Sequence, residues 1–316
     1  MKPLTTAAAG APSLRMDALS WGMLFTLAVL WGGTFLLVEV ILIQMPVMTL
    51  VALRVSLAAV TAWAVILATG TALPASASVW LPLLFLGVIN NVIPFSLIVW
   101  AQTEVTAGFA SILNATTPLW TALIAAVALS DERLTAAKIT GIFAGVAGVA
   151  VMVGPSALPG GNAPLVHQLA ILIATISYAF SAVFARRFAR LGVPLLAIAA
   201  GQLTGSSLVL VPLAAAVDGP AAAFGAGALV WSAVVVSAVF CTTCAYLLYF
   251  SVIRRAGATN AALVTVLVPV VAILGGVTLL GEPLTAQQFW GMAMVAAGLA
   301  VMDGRLPALF WRGGTR

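Results

Sequence analysis

A nineteen-residue stretch occurs twice in this chain, while the charges around it do not. Leu134–Met152 (LTAAKITGIFAGVAGVAVM) returns at Leu284–Met302 as LTAQQFWGMAMVAAGLAVM, with nine of nineteen positions identical, Gly141/Gly291 and Gly148/Gly298 among them. Upstream, Asn114 and Pro118 are answered by Thr265 and Pro269. The basic residues do not repeat: Arg133 and Lys138 become Pro283 and Gln288, and Arg254 and Arg255 fall opposite Gln102, Thr103 and Glu104. Basic residues hold loops on the cytoplasmic side. A repeat with reversed charge bias is therefore a membrane unit inserted twice in opposite directions, an arrangement typical of secondary transporters.

The solvent of such a chain must be lipid. It is 63% hydrophobic and 7% charged, with a mean hydropathy of +1.19, where a soluble domain carries roughly 25% charged residues. The net charge of +5 does not point to nucleic acid, because Lys and Arg sit in short clusters between apolar runs and form no basic face. The first residues, with Lys2 and Arg15, resemble a signal peptide only loosely. The apolar run that follows is about 23 residues, enough to span the bilayer core, and reads as a retained helix.

Apolar runs predict an all-α integral membrane protein with ten transmembrane helices, near 21–43, 48–69, 79–100, 105–129, 136–153, 165–187, 194–216, 228–250, 257–280 and 285–303. The expected organisation is a cytoplasmic tail over 1–18, a first five-helix repeat over 19–153, a periplasmic linker over 154–164, a second repeat over 165–303 and a cytoplasmic tail over 304–316. With both termini inside, Lys2, Arg15, Arg133, Lys138, Arg186, Arg187, Arg190, Arg254, Arg255, Arg305, Arg312 and Arg316 all fall on the cytoplasmic face. Outer loops carry Glu104, Asp218 and Glu282 and no Lys or Arg. Five helices per half is an odd number, so the halves must be inverted.

Trp31-Gly32-Gly33-Thr34-Phe35 in helix 1, Leu53-Arg54-Val55 in helix 2, and the paired Ala-rich, Pro-containing stretches Ala107 to Glu132 and Ala256 to Glu282 resemble elements of the drug/metabolite transporter superfamily, specifically its bacterial ten-helix EamA-type members. The resemblance covers nearly the whole chain after about residue 20. It implies a plasma-membrane carrier of amino acids or related metabolites. Many relatives have Lys where this chain has Glu39, so no role of that Lys carries over.

Polar groups within membrane helices line a cavity or pair inside the bundle. Glu39 and Arg54 are the clearly intramembrane charges, and an unpaired Arg there costs about 2.5–3.5 kcal/mol on insertion scales. A Glu39–Arg54 pair between helices 1 and 2 would relieve that cost, either as a static bridge or as a gating or proton-coupling element. A second set stands near the helix midpoints: Trp31, Thr34, Asn90, Asn91, Phe95 and Asn114 in the first half, Tyr178, Ser181, Tyr246, Tyr249 and Thr265 in the second. Each alone could be interhelical glue. Together they suit a substrate-binding cavity for a zwitterionic or neutral solute with an apolar part. Pro118 and Pro269 are candidate hinges, each removing a backbone donor. The glycines of helices 5 and 10 permit close packing, either internally or across a homodimer face.

Other chemistries find little support. Cys241 and Cys244 could serve a membrane thiol-redox enzyme, but the chain has only two Cys and no relay pair. The single His167 makes no zinc site, and no phosphate loop, nucleophile elbow or catalytic residues stand out. No metal or cofactor is expected. The sequence reads as a multi-pass secondary transporter of the bacterial inner membrane, partnered by lipid and a small solute and coupled to the solute gradient or to protons. A membrane enzyme and a passive channel are the alternatives.

Overall fold

The structure, a computed structural model, describes residues 17–129, 135–157 and 165–302. Lys2, Arg15, Arg133, Arg305, Arg312, Arg316, most of both expected tails and the 158–164 part of the expected linker lie outside the described residues. All regular structure among the described residues is helical. That follows from the solvent: hydrocarbon offers no partner for a backbone N–H or C=O, so each segment must satisfy its own.

The helices in chain order are α1 (Ala18–Leu42), α2 (Val47–Thr69), α3 (Ala77–Ala101), α4 (Ala107–Ala128), α5 (Ala136–Ala157), α6 (Leu165–Arg190), α7 (Leu195–Val217), α8 (Ala228–Ala256), α9 (Val264–Leu280) and α10 (Ala286–Met302). Seven, α1 to α4 and α6 to α8, are long and apolar enough to cross a membrane. The chain is thus a multi-pass membrane protein. The apolar parts of α5 and α9 are shorter, and α10 has 17 residues. Expected ends hold within a few residues except at α8, which runs six residues further than predicted, to Ala256. Turn residues set the boundaries. Gly70 ends α2 at φ +63°, and its N–H donates to Ile66 O, a left-handed cap that costs glycine nothing.

Several helices are not continuous. A π-helical turn interrupts α3 at Val88–Val92 and α8 at Val239–Cys244, and a third ends α9 at Gly276–Leu280. α4 breaks between Ala107–Asn114 and Thr117–Ala128. Pro118 has no N–H for the carbonyl of Asn114, and Thr117 Oγ1 donates to it instead at 2.7 Å, the repair that lets Pro stand in a membrane helix. Pro269 does not mirror this geometry. It lies inside Val264–Gly275, while the nearest break, at Ala262–Leu263, stands ahead of that helix. The two expected hinges therefore differ locally: one begins a new helical segment and the other sits within one.

The packing is unchanged when each helix is exchanged for the one five places along. α1 packs on α9 as α6 packs on α4, α3 on α7 as α8 on α2, and α3 on α6 as α8 on α1. α2 meets α7, its own counterpart, and α5 meets α10. The last crossing is the repeated stretch packed on itself. A Cβ added to Gly148 would lie 2.7 Å from Gly291 O, and one added to Gly298 would lie 2.5 Å from Gly141 O. This glycine face is thus used for packing inside the chain. Two apolar clusters, one around Leu27, Ile112 and Val264 and one around Leu50, Val55 and Leu203, fill the bundle.

Candidate functional site

The π-turn of α3 carries Asn90 and Asn91 into the bundle, where two further helices close on them. Asn91 is fully buried, and its Nδ2 donates to Ser206 Oγ of α7 at 2.9 Å. Asn90 Nδ2 donates to Gln202 Oε1 of α7 at 2.9 Å, and Ser181 Oγ of α6 donates to Asn90 Oδ1 at 2.7 Å. The hydroxyl of Tyr246, from α8, lies 3.4 Å from both Asn90 Nδ2 and Asn91 Oδ1. Ile89 O, within the same turn, accepts from Ser177 Oγ at 2.6 Å. A π-turn disturbs the backbone ladder, and side chains of α6 and α7 satisfy what it exposes. The result is a hydrogen-bonded polar layer across α3, α6, α7 and α8 in an otherwise apolar interior.

The π-turn of α8 builds the adjoining element. Thr242 Oγ1 accepts from Arg54 Nε at 3.1 Å and donates to Ser237 O at 2.9 Å. Thr243 Oγ1 donates to Ala58 O, tying α8 to α2. Arg54 is 7% exposed, and its guanidinium carbon stands 4.3 Å from the ring centre of Phe95, within cation–π range. Phe95 meets Tyr178 edge-on, with ring centres 6.5 Å apart. The expected Glu39–Arg54 ion pair is not formed. Arg54 reaches inward to Thr242 and Phe95, whereas Glu39 Oε1 accepts from Gln102 Nε2 at 3.1 Å. A buried Arg stacked on an aromatic face needs no carboxylate to fix its orientation, only its charge remains unbalanced.

Glu39 lines a different feature, an open mouth of about 490 Å³ shared with Gln102, Glu104, Thr106 and Glu282. Gln102 also donates to Phe35 O, while its Oε1 is buried without a hydrogen-bond partner. Glu282 caps the first turn of α4, accepting from Ala107 N at 2.8 Å and Gly108 N at 3.0 Å. Asp218 does the same for α2, accepting from Thr49 N and Thr49 Oγ1. A larger concavity of about 740 Å³ lies between α2 and α7, but its walls, among them Val60, Leu67, Leu208 and Val211, are apolar. It is a groove in the hydrocarbon-facing surface, apart from the polar layer.

The expected set is brought together in part. Asn90, Asn91, Ser181 and Tyr246 share the polar layer, and Phe95 and Tyr178 join it to Arg54. Trp31 and Tyr249 pack together at 5.3 Å between ring centres, and Thr34 meets Cys241. Asn114 and Thr265 do not join: Asn114 Oδ1 is buried without a partner, and Thr265 Oγ1 donates to Ala262 O of its own segment. Both cysteines are free, and Cys241 is buried. His167 lies against Trp100, with ring centres 4.3 Å apart. Gln102, Gln202, Ser206 and Thr242 carry the site and were not anticipated. One signal was available, since Thr242 stands at the same offset from Asn91 as Thr265 from Asn114.

The pattern of the EamA-like transporter family matches this chain twice, over residues 19–154 and 166–302. The chain belongs to the EamA-like transporter family. Membership bears out the resemblance to the drug/metabolite transporter superfamily. Among curated proteins, an uncharacterized transporter of Archaeoglobus fulgidus is 24% identical over 287 residues, covering 89% of this chain and 98% of that protein. The uncharacterized transporter YyaM of Bacillus subtilis is 28% identical over 195 residues, covering 60% of this chain and 63% of that protein. A solved crystal structure is similar with a TM-score of 0.65 and 24% identity, covering 92% of this chain and 99% of the other. That likeness concerns the fold. The EamA-like chain is accordingly a transporter, and the polar layer and Arg54 are its candidate solute site.

Proposed function

We propose that this EamA-like transporter exports or exchanges small organic metabolites, amino acids among them, by alternating access around the polar layer. In this reading ten helices cross the bacterial inner membrane as two inverted five-helix repeats, over 19–153 and 165–303, with both termini cytoplasmic. The exchange symmetry of the packing and the two family matches support the inverted repeat. Inverted halves have two arrangements of similar energy that open opposite mouths around a fixed site. The observation that carries the solute site is the chain of hydrogen bonds from Ser181 through Asn90 and Asn91 to Gln202 and Ser206. Polar side chains from helices of both halves meet there in a bundle that is otherwise apolar.

Binding at such a layer exchanges these internal hydrogen bonds for bonds to solute, so amides and hydroxyls recognise polar groups while Trp31, Phe95 and Tyr249 take the apolar part. Pro118 and Thr265–Pro269 are the places where α4 and α9 give during rocking. Glu39, at the mouth beside Glu282 and held by Gln102, is the proton-coupling residue. Its carboxylate can take a proton when the mouth closes and water leaves. The test is counterflow of labelled amino acids into proteoliposomes, with and without a pH gradient. Saturable counterflow is expected, with its pH response lost in Glu39→Gln. Linear, unsaturable flux would make the protein a channel, and an unchanged pH response would make Glu39 structural.

A further inference from the structure

We propose that Arg54 is the docking point for the carboxylate of the transported solute, which makes this a carrier of carboxylate-bearing solutes; the inference rests on the transporter reading above. Arg54 is the one charged side chain that is buried among the described residues. No carboxylate lies within ion-pair distance of it among those residues, and its hydrogen bonding is confined to Nε. Both terminal nitrogens, the two that grip a carboxylate side by side, have no hydrogen-bond partner and are not sealed off from all free space.

What surrounds Arg54 is arranged to hold its fork still and leave that end open. Thr242 takes Nε, and Thr242 is itself held by Ser237 O at the π-turn of α8. Phe95 covers one face of the guanidinium plane. The hydroxyls of Tyr178 and Tyr246 and the thiol of Cys241 stand near enough to feel its charge, and none is acidic. The Tyr178 hydroxyl makes no hydrogen bond of its own among the described residues, so it is a further donor for the same ligand. Beyond it the layer is all amide and hydroxyl. A bundle that buries a cation, fixes its orientation and supplies neutral donors around it lacks an anion. A solute that alternates between the two faces supplies that anion on each cycle. A static structural role would be served by a fixed acidic partner, and Glu39, the nearest candidate in the sequence, is held elsewhere by Gln102.

The experiment uses the full chain with two matched series: leucine, leucinamide, isopentylamine and 4-methylpentanoate, and the corresponding phenylalanine set. Thermal stabilisation of the detergent-purified protein and competition against labelled counterflow are read in parallel, with chloride present or replaced by sulfate. The acids are expected to stabilise and compete, and the amides and amines to do so about 100-fold more weakly or not at all. Arg54→Lys should keep the preference for acids at reduced affinity, because Lys offers the charge without the fork. Arg54→Gln should remove the preference. Thr242→Val leaves the charge and loosens the fork, and should weaken the acids while leaving the amides unchanged, so the argument survives if Arg54→Gln does not fold. Equal action of acid and amide on the wild-type protein overturns the proposal. So does stabilisation by chloride alone with no added effect of any acid, which makes the occupant an inorganic ion. Acid-specific stabilisation without counterflow would keep the anion site and defeat the transport reading instead.

Discussion

Asp17 shows how much one side chain at a helix start can do. It caps α1 by accepting from Ser20 N at 2.8 Å and pairs with Arg255 at the end of α8 at 3.0 Å. Hydrogen bonding from Ser20 first, and then the Arg255 guanidinium, lowers its pKa from 3.8 to about 2. A depressed carboxylate pKa means stability present above the unfolded value and lost as pH falls toward the folded one. Unfolding curves of wild type and Asp17→Asn should therefore differ by a constant amount from neutrality down to about pH 5. The gap should close between pH 3.8 and about 2. It should be small throughout, because the pair is exposed and Asn also caps well. The site was legible at this scale only in part. Asn90, Asn91 and Arg54 stand out because amides and charges are costly in lipid. Gln202 and Ser206 stand in a helix rich in Ala, Gly and Ser, and Gln102 sits at a helix end, where polar residues draw no attention.

At the scale of the element, the outer acids turned out to have a second task. Their charge marks the topology, but Glu282 and Asp218 also satisfy the free N–H groups that begin α4 and α2. A carboxylate there gains from both the hydrogen bonds and the helix dipole. Glu282→Gln should lower stability by about 0.5–2 kcal/mol, read as a fall in Tm of the detergent-purified protein. Gly276 lies against the same carboxylate, so a longer replacement at Glu282 has no room to turn. Helix boundaries were predictable because hydropathy and Pro/Gly punctuation mark them. The π-turns were not, because one extra residue in a turn leaves the apolar run unbroken. The predicted ion pair failed for a related reason: neighbouring helices were taken as neighbouring charges, whereas rotation about each helix axis aims Arg54 at α8 and Glu39 at the end of α3.

For the whole molecule, the sequence repeat foretold which helices resemble each other, and the packing shows that they also meet as counterparts. The α5–α10 crossing is the tightest case, with each glycine facing the other helix's backbone. The orientation across the membrane is open to a direct test. Leu191, in the loop after α6, is 60% exposed, and Phe224, in the loop after α7, is 84% exposed. On a Cys241→Ser, Cys244→Ser background, Phe224→Cys in intact cells should react with a membrane-impermeant thiol reagent, and Leu191→Cys should react only after lysis. The opposite pattern would invert the topology and place both termini outside.

The π-turn at Val88–Val92 has a consequence for how the two charged residues act together. An extra residue in a turn rotates everything beyond it by about 100°. Phe95, which covers Arg54, and Gln102, which holds Glu39, both lie beyond that turn on the same half of α3. That half-helix is therefore a common spindle. Were it to tighten to ordinary α-helical pitch, the aromatic cover over the guanidinium and the amide on the carboxylate would swing away in one motion, so solute contact and proton access would share a single clock.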